Sequence, residues 1–162
     1  MFFEFPQSIN WKLNTKHNLQ TRLSKEYTID TNAERIDAEL VYRFLSGESY
    51  WAKDRTREEV NKTIENSLNF GMYKNDAMVG FARVVTDCVS FAYLADVFIV
   101  KEQRGKGLGN ALVQYILEYP SIKNTKRWML GTMDAHELYR PYGFSEMANP
   151  KRWMERIVGE GF

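Results

Sequence analysis

Gly105, Gly107 and Gly109 fall on alternate positions, interleaved with Lys106 and Leu108 and flanked by Arg104 and Asn110. A turn with so little side-chain bulk lets backbone N–H groups point into open space. The run that follows carries Leu112, Tyr115, Ile116 and Tyr119 at helical spacing, so the turn opens a helix. At a helix N-terminus the unpaired N–H groups and the macrodipole both favour negative charge, and Arg104 and Lys106 reinforce it. The chemistry indicated is binding of a phosphate or pyrophosphate. The common phosphate motifs do not account for it. No P-loop occurs, and both Gly-x-Gly-x-x-Gly readings fail, ending on Asn110 or Leu112. The plain alternative is a flexible turn that joins a strand to a helix.

Asp96 is the second residue of interest, because it lies inside the apolar run 91–100. A buried carboxylate without a partner is costly. The residue therefore has either a partner, such as Arg83 or a backbone donor on a neighbouring strand, or the task of a general base. Around these two features the pattern places a first strand at 27–30 and a helix capped by Thr31 or Asn32 that runs to Leu45. A loop over 46–55 carries Glu48, Tyr50, Trp51, Asp54 and Arg55. Thr56 and Glu59 have capping-box spacing and open a helix over 57–68. Residues 71–73 and 78–85 read as a hairpin around 74–76, and 91–100 as the next antiparallel strand. After the glycine turn come a helix over 108–119, a strand over 127–132, a helix over 135–142, and strands at 145–147 and 153–157. The order β-α-α-β-β-β-α-β-α-β-β describes one mixed α+β domain over 26–162, preceded by an extension over 1–25 without clear period.

The 162 residues fit a single domain, and 44% hydrophobic with 27% charged residues is ordinary for a globular protein. A net charge of +1 gives no electrostatic reason to expect nucleic acid or an anionic membrane as partner. Cys88 is the single cysteine, which excludes an intrachain disulfide and fits a reducing compartment. His17, His136 and Cys88 form no metal-ligand spacing, so no metal is expected. The opening Met1-Phe2-Phe3-Glu4 lacks a basic n-region, and no run reaches the ~18 apolar residues of a membrane helix. A cytoplasmic location is the expectation.

The spacing Arg104-x-x-Gly107-x-Gly109 after a strand ending Val97-Phe98-Ile99-Val100 resembles the GNAT superfamily of acetyl-CoA-dependent N-acetyltransferases. Leu138-Tyr139-Arg140-Pro141-Tyr142-Gly143-Phe144 is similar to that family's Leu-Tyr-x-x-x-Gly-Phe segment, in the right order downstream. The resemblance spans roughly Tyr27 to Ile157. It implies a central, mostly antiparallel, splayed sheet flanked by helices. It also implies that residues Arg104 to Asn110 hold the pyrophosphate of acetyl-CoA, and that the backbone amide of Phe98 or Ile99 polarises the thioester carbonyl and pairs with the pantetheine arm. Tyr139 is then the acid that protonates the departing thiolate, with Tyr142 read as packing. Asp96 and, next, Glu48 are the candidate bases, with an ordered water as the alternative. The family often has a coenzyme-contacting asparagine seven residues before the motif tyrosine; Thr132 stands here and keeps only a hydroxyl.

Tyr50 and Trp51 fall in the family's variable substrate loop, where rings beside carboxylates could receive a cationic amine or simply anchor the loop. The expected acceptor is a primary amine of a small molecule, less readily a peptide. The alternative function is a non-catalytic acyl-CoA-binding regulatory module. Homodimerisation is common among relatives, and the aromatic N-terminal segment is a candidate contributor to it.

Overall fold

The structure, a computed structural model, describes residues 24–158; the extension expected over 1–25 lies almost wholly outside them. Five strands form one sheet in the order β1-β2-β3-β4-β5. They are β1 (Tyr27–Asp30), β2 (Leu68–Lys74), β3 (Ala77–Thr86), β4 (Ala92–Ile99) and β5 (Trp128–Met129). The first four run antiparallel to their neighbours, and β5 lies parallel to β4. Among the described residues there are four α-helices: α1 (Ala38–Gly47), α2 (Arg57–Glu65), α3 (Leu108–Leu117) and α4 (His136–Tyr139). The expected mixed α+β architecture is present.

Alternation along the strands builds both layers. Leu68, Phe70 and Met72 point to one face and meet Leu112, Val113 and Ile116 of α3 together with Ala82, Val84 and Leu94. On the opposite face Phe81 and Phe98 pack beneath Val41, Phe44 and Leu45 of α1 and Val60 of α2. The Phe44 and Phe98 rings stack with centroids 3.9 Å apart, which fastens α1 to β4. Such aromatic pairs add about 0.5–1.5 kcal/mol beyond the area they bury.

The capping box is present: Thr56 N–H donates to Glu59 Oε2 (2.7 Å), and Glu59 N–H donates to Thr56 Oγ1 (3.2 Å). The first helix starts later than its expected cap. Asn32 caps only a 3₁₀ turn, Ala33–Arg35, and the chain then extends until the Asp37 side chain accepts from Leu40 N–H and starts α1. The strand expected over 127–132 shortens to two residues, and the helix over 135–142 tightens into a 3₁₀ turn after Tyr139. The strands expected at 145–147 and 153–157 are absent. Pro150, which has no N–H for a ladder, opens a 3₁₀ turn between them, and Met147, Trp153, Met154 and Ile157 remain exposed. Trp153 instead lies under the Arg127 guanidinium, 4.9 Å from its ring centre.

Two irregularities of β4 open the sheet. Its register against β3 shifts between Phe81 and Arg83, opposite Asp96, which takes a left-handed φ of 52°. That is a β-bulge carried by a residue type that tolerates this conformation. Its pairing with β5 covers only Ala92 with Trp128 and Tyr93 with Met129. Beyond those two pairs β4 and β5 part, and the glycine loop lies at the far end of β4.

Candidate active site

The glycine loop leaves β4 through a 3₁₀ turn, Lys101–Gln103, and enters α3 at Gly107. Gly105 and Gly107 have φ of 76° and 75°, and a Cβ built on either would meet nothing within 4 Å. Glycine is required there for its backbone and not for space. Among the described residues no side chain caps α3. Among the described residues, the backbone N–H groups from Gly105 to Asn110 have no acceptor, while Ala111 N–H already bonds Gly107 O. The loop therefore presents a row of unused donors at a helix start, the arrangement that receives a phosphate. Its basic side chains have structural duties as well. Arg104 Nε donates to Ile99 O (2.9 Å), and Lys106 Nζ donates to Gln103 Oε1, which also accepts from Tyr27 OH.

Val100 N–H donates to Val79 O, so N–H groups that alternate with it point away from β3. Of the two amides expected to serve the thioester, Ile99 N–H faces the gap between β4 and β5 and Phe98 N–H faces β3. Phe98 instead contributes its ring to the α1 layer. Thr132 Oγ1 accepts from Ala135 N–H (3.0 Å), an interaction that shapes the entry to α4.

Tyr139 ends α4 and is buried. Leu138 lies against Gly109, and Tyr142 OH donates to Asn110 O (2.8 Å), so the α4 segment is fastened to the first turn of α3 on either side of Tyr139. Tyr142 is thus a tie between segments as well as packing. The edge of Tyr139 meets the Phe144 ring, and among the described residues its hydroxyl has no hydrogen-bond partner. Burial, followed by the neighbouring Tyr50 and Asp134, pushes that hydroxyl up to about 12. The phenol is therefore a firmly protonated donor beside the loop's helix start.

Asp96 has a partner. Its carboxylate, with a side chain 2% exposed, accepts from Arg83 Nε (2.5 Å), Arg55 Nη1 (3.0 and 3.2 Å) and Trp51 Nε1 (3.0 Å). Two guanidinium groups and an indole occupy the oxygens that a base would need. Glu48 is exposed and lies 3.9 Å from Arg104 Nη2, beside the glycine loop. Trp51 anchors its loop through Asp96, with the Tyr50 ring against it edge-on. Tyr50 OH accepts from Met133 N–H (2.9 Å) and donates to Asp134 (3.3 Å), clasping the α1–α2 loop to the entry of α4. The place of Asp134 in this cluster has no sequence signal, since nothing in its spacing links it to a tyrosine more than eighty positions earlier.

These elements match known proteins. The family model described as Acetyltransferase (GNAT) family matches residues 38–144, from the start of α1 through the tyrosine segment. The chain belongs to the GNAT acetyltransferase family. A candidate acetyltransferase of this family from Xanthomonas campestris pv. campestris is 39% identical, with a TM-score of 0.79 over 82% of this chain and 93% of that one. A candidate acetyltransferase of Gibberella zeae is 26% identical over 134 residues, 70% of this chain and 76% of its own length. The fold is also that of a candidate acetyltransferase from Clostridium acetobutylicum solved with acetyl-CoA, at 15% identity and a TM-score of 0.62, covering 81% of this chain and 94% of that one. Acetyltransferases of the GNAT family use acetyl-CoA as donor. Among the described residues no cluster of ligating side chains could hold a metal, and no helix is long and apolar enough to cross a membrane.

Proposed function

We propose that this chain transfers the acetyl group of acetyl-CoA to a primary amine of a small molecule by direct attack. The observation that carries the reading is Tyr139, a buried, protonated phenol tied to the helix start whose backbone donors stand open. The fit of the coenzyme is supported by the Gly105 to Asn110 N–H groups, with space around Gly105 and Gly107, for a pyrophosphate. Bound there, acetyl-CoA supplies an activated thioester. Ile99 N–H, facing the gap between β4 and β5, is placed to donate to the carbonyl oxygen, where charge develops. Tyr139 OH holds the proton that the departing sulfur requires.

The acceptor amine must be neutral to attack, and deprotonating a lysine-like amine near neutrality costs roughly 4–5 kcal/mol. Asp96, held by two arginines, is not assigned that task. Glu48 is the candidate carboxylate, acting directly or through a water. Purified protein should release free thiol from acetyl-CoA only when an amine acceptor is added. Tight coenzyme binding without acceptor-dependent release would instead identify a non-catalytic acyl-CoA-binding module.

A further inference from the structure

The charge balance around Asp96 leaves a cation over. Arg83, with its side chain 10% exposed, contacts Asp96 at 2.5 Å through Nε and spends Nη1 on Ser67 Oγ (3.2 Å). That pair alone neutralises the carboxylate and holds the bulge. Arg55 is a second guanidinium on the same carboxylate, with its side chain 23% exposed, and only its Nη1 is engaged. Among the described residues, Arg55 Nε and Nη2 have no partner. Glu59 feels the Arg55 charge as the weakest of its influences, but it is fully exposed and committed to Thr56. A half-buried second cation with free donors can receive an anion, and a planar fork of N–H groups matches a carboxylate in two-point contact.

The position of that surplus is informative. Arg55 reaches the bulge of β4 at Asp96, beyond the last pair with β5 and three residues before the Ile99 amide assigned to the thioester. Trp51 and Tyr50 form a wall from the same loop, and Tyr50 reaches Asp134 beside Tyr139. Resting on the acetyl-transfer reading, we infer that the acceptor carries a carboxylate besides its amine, and that Arg55 receives it. The acceptor class is then an amino carboxylate, of which an amino acid is the simplest. Arg83 is the fold's cation, and Arg55 is the substrate's.

The test uses matched pairs, each common amino acid beside its own carboxamide, together with polyamines that have no carboxylate. Thiol release from acetyl-CoA is the readout. The carboxamide has the less basic amine, so it is more readily deprotonated; any preference for the acid therefore reports recognition of the carboxylate. For at least one pair the wild type should favour the acid by about tenfold in kcat/KM, expressed in KM, as expected for one lost charge-assisted contact. Arg55→Gln should bring that pair within about threefold, and Arg55→Lys should keep part of the preference. Carboxamides or polyamines that serve as well as the acids would overturn this inference while leaving acetyl transfer intact. A preference that survives in Arg55→Gln would also overturn it, by placing the recognising charge elsewhere. No thiol release with any amine would overturn the acetyl-transfer reading itself. The wild-type comparison stands even where a variant fails to fold.

Discussion

In the proposed reading, the coenzyme side and the acceptor side of this site are built from opposite materials. On the coenzyme side the donors are backbone N–H groups from Gly105 to Asn110, left open by two glycines with positive φ and a helix without a cap. On the acceptor side the donors are side chains of Trp51, Arg55 and Arg83, brought from a loop and a strand onto one buried carboxylate. A ligand common to a whole family can be held by main chain, and the requirement for glycine then writes itself into the sequence at fixed spacing. A ligand particular to one member is met by side chains from separate segments. Such a site leaves no local motif.

That contrast can be broken by substitution, beginning with the strongest expected effect. Asp96→Ala strands two cations, one of them buried, and should cost about 3 kcal/mol of stability, lowering Tm by roughly 6–12 °C in a thermal melt. Arg55→Gln leaves Arg83 on Asp96 and should move Tm by only about 2–4 °C. Equal losses from the two would show that Arg55 belongs to the fold and not to a ligand. Gly107→Ala forces a Cβ into the left-handed region and should weaken acetyl-CoA binding by about tenfold at a strain of roughly 1–2 kcal/mol. Gly109→Ala, whose Cβ would meet Leu138 at an ordinary 3.7 Å, should change affinity by less than about threefold. Calorimetric titration with acetyl-CoA distinguishes the two, and similar losses would mean that bulk, not backbone conformation, governs the loop. The smallest effect is expected from Tyr50→Phe, which removes the bridge to Met133 and Asp134; acceptor KM should rise about two- to threefold with coenzyme affinity unchanged. A coenzyme effect of equal size would erase the division between the two sides.

Much of the fold is legible because its signals are local. The capping box at Thr56 and Glu59, the alternation of Leu68, Phe70 and Met72, and the helical spacing of Leu112 and Ile116 each need only a short window. Asn32 misleads because a cap can start a single 3₁₀ turn as readily as a helix, and Asp37 captures α1. The strands expected at 145–147 and 153–157 fail because a strand needs a ladder, and an apolar pattern cannot report whether an edge is available to it. At the site, Tyr139 and the glycine loop come from motifs. The bulge at Asp96 could be anticipated only as a buried carboxylate in want of a partner. Its partners include Arg83 on the adjacent strand, where register makes the pairing local, and Arg55, far away in sequence, where nothing does.

Burial raises the Tyr139 and Tyr73 hydroxyls to about 12, above the ordinary tyrosine value of 10.0, so the folded state favours their neutral forms. Their contribution to stability is complete below pH 10 and is lost as pH rises towards about 12. Tyr139→Phe should therefore soften the alkaline fall of Tm, and an unchanged alkaline limb would contradict the burial of that phenol.

If Tyr139 holds the proton for the departing sulfur, as proposed, the turnover of Tyr139→Phe will expose it. With an acceptor in hand and acetyl-CoA affinity measured in parallel, kcat should fall at least about tenfold while the coenzyme Kd stays within about threefold. Turnover equal to wild type, with the coenzyme bound as tightly, would remove Tyr139 from the acid's role and leave the site without its proton donor.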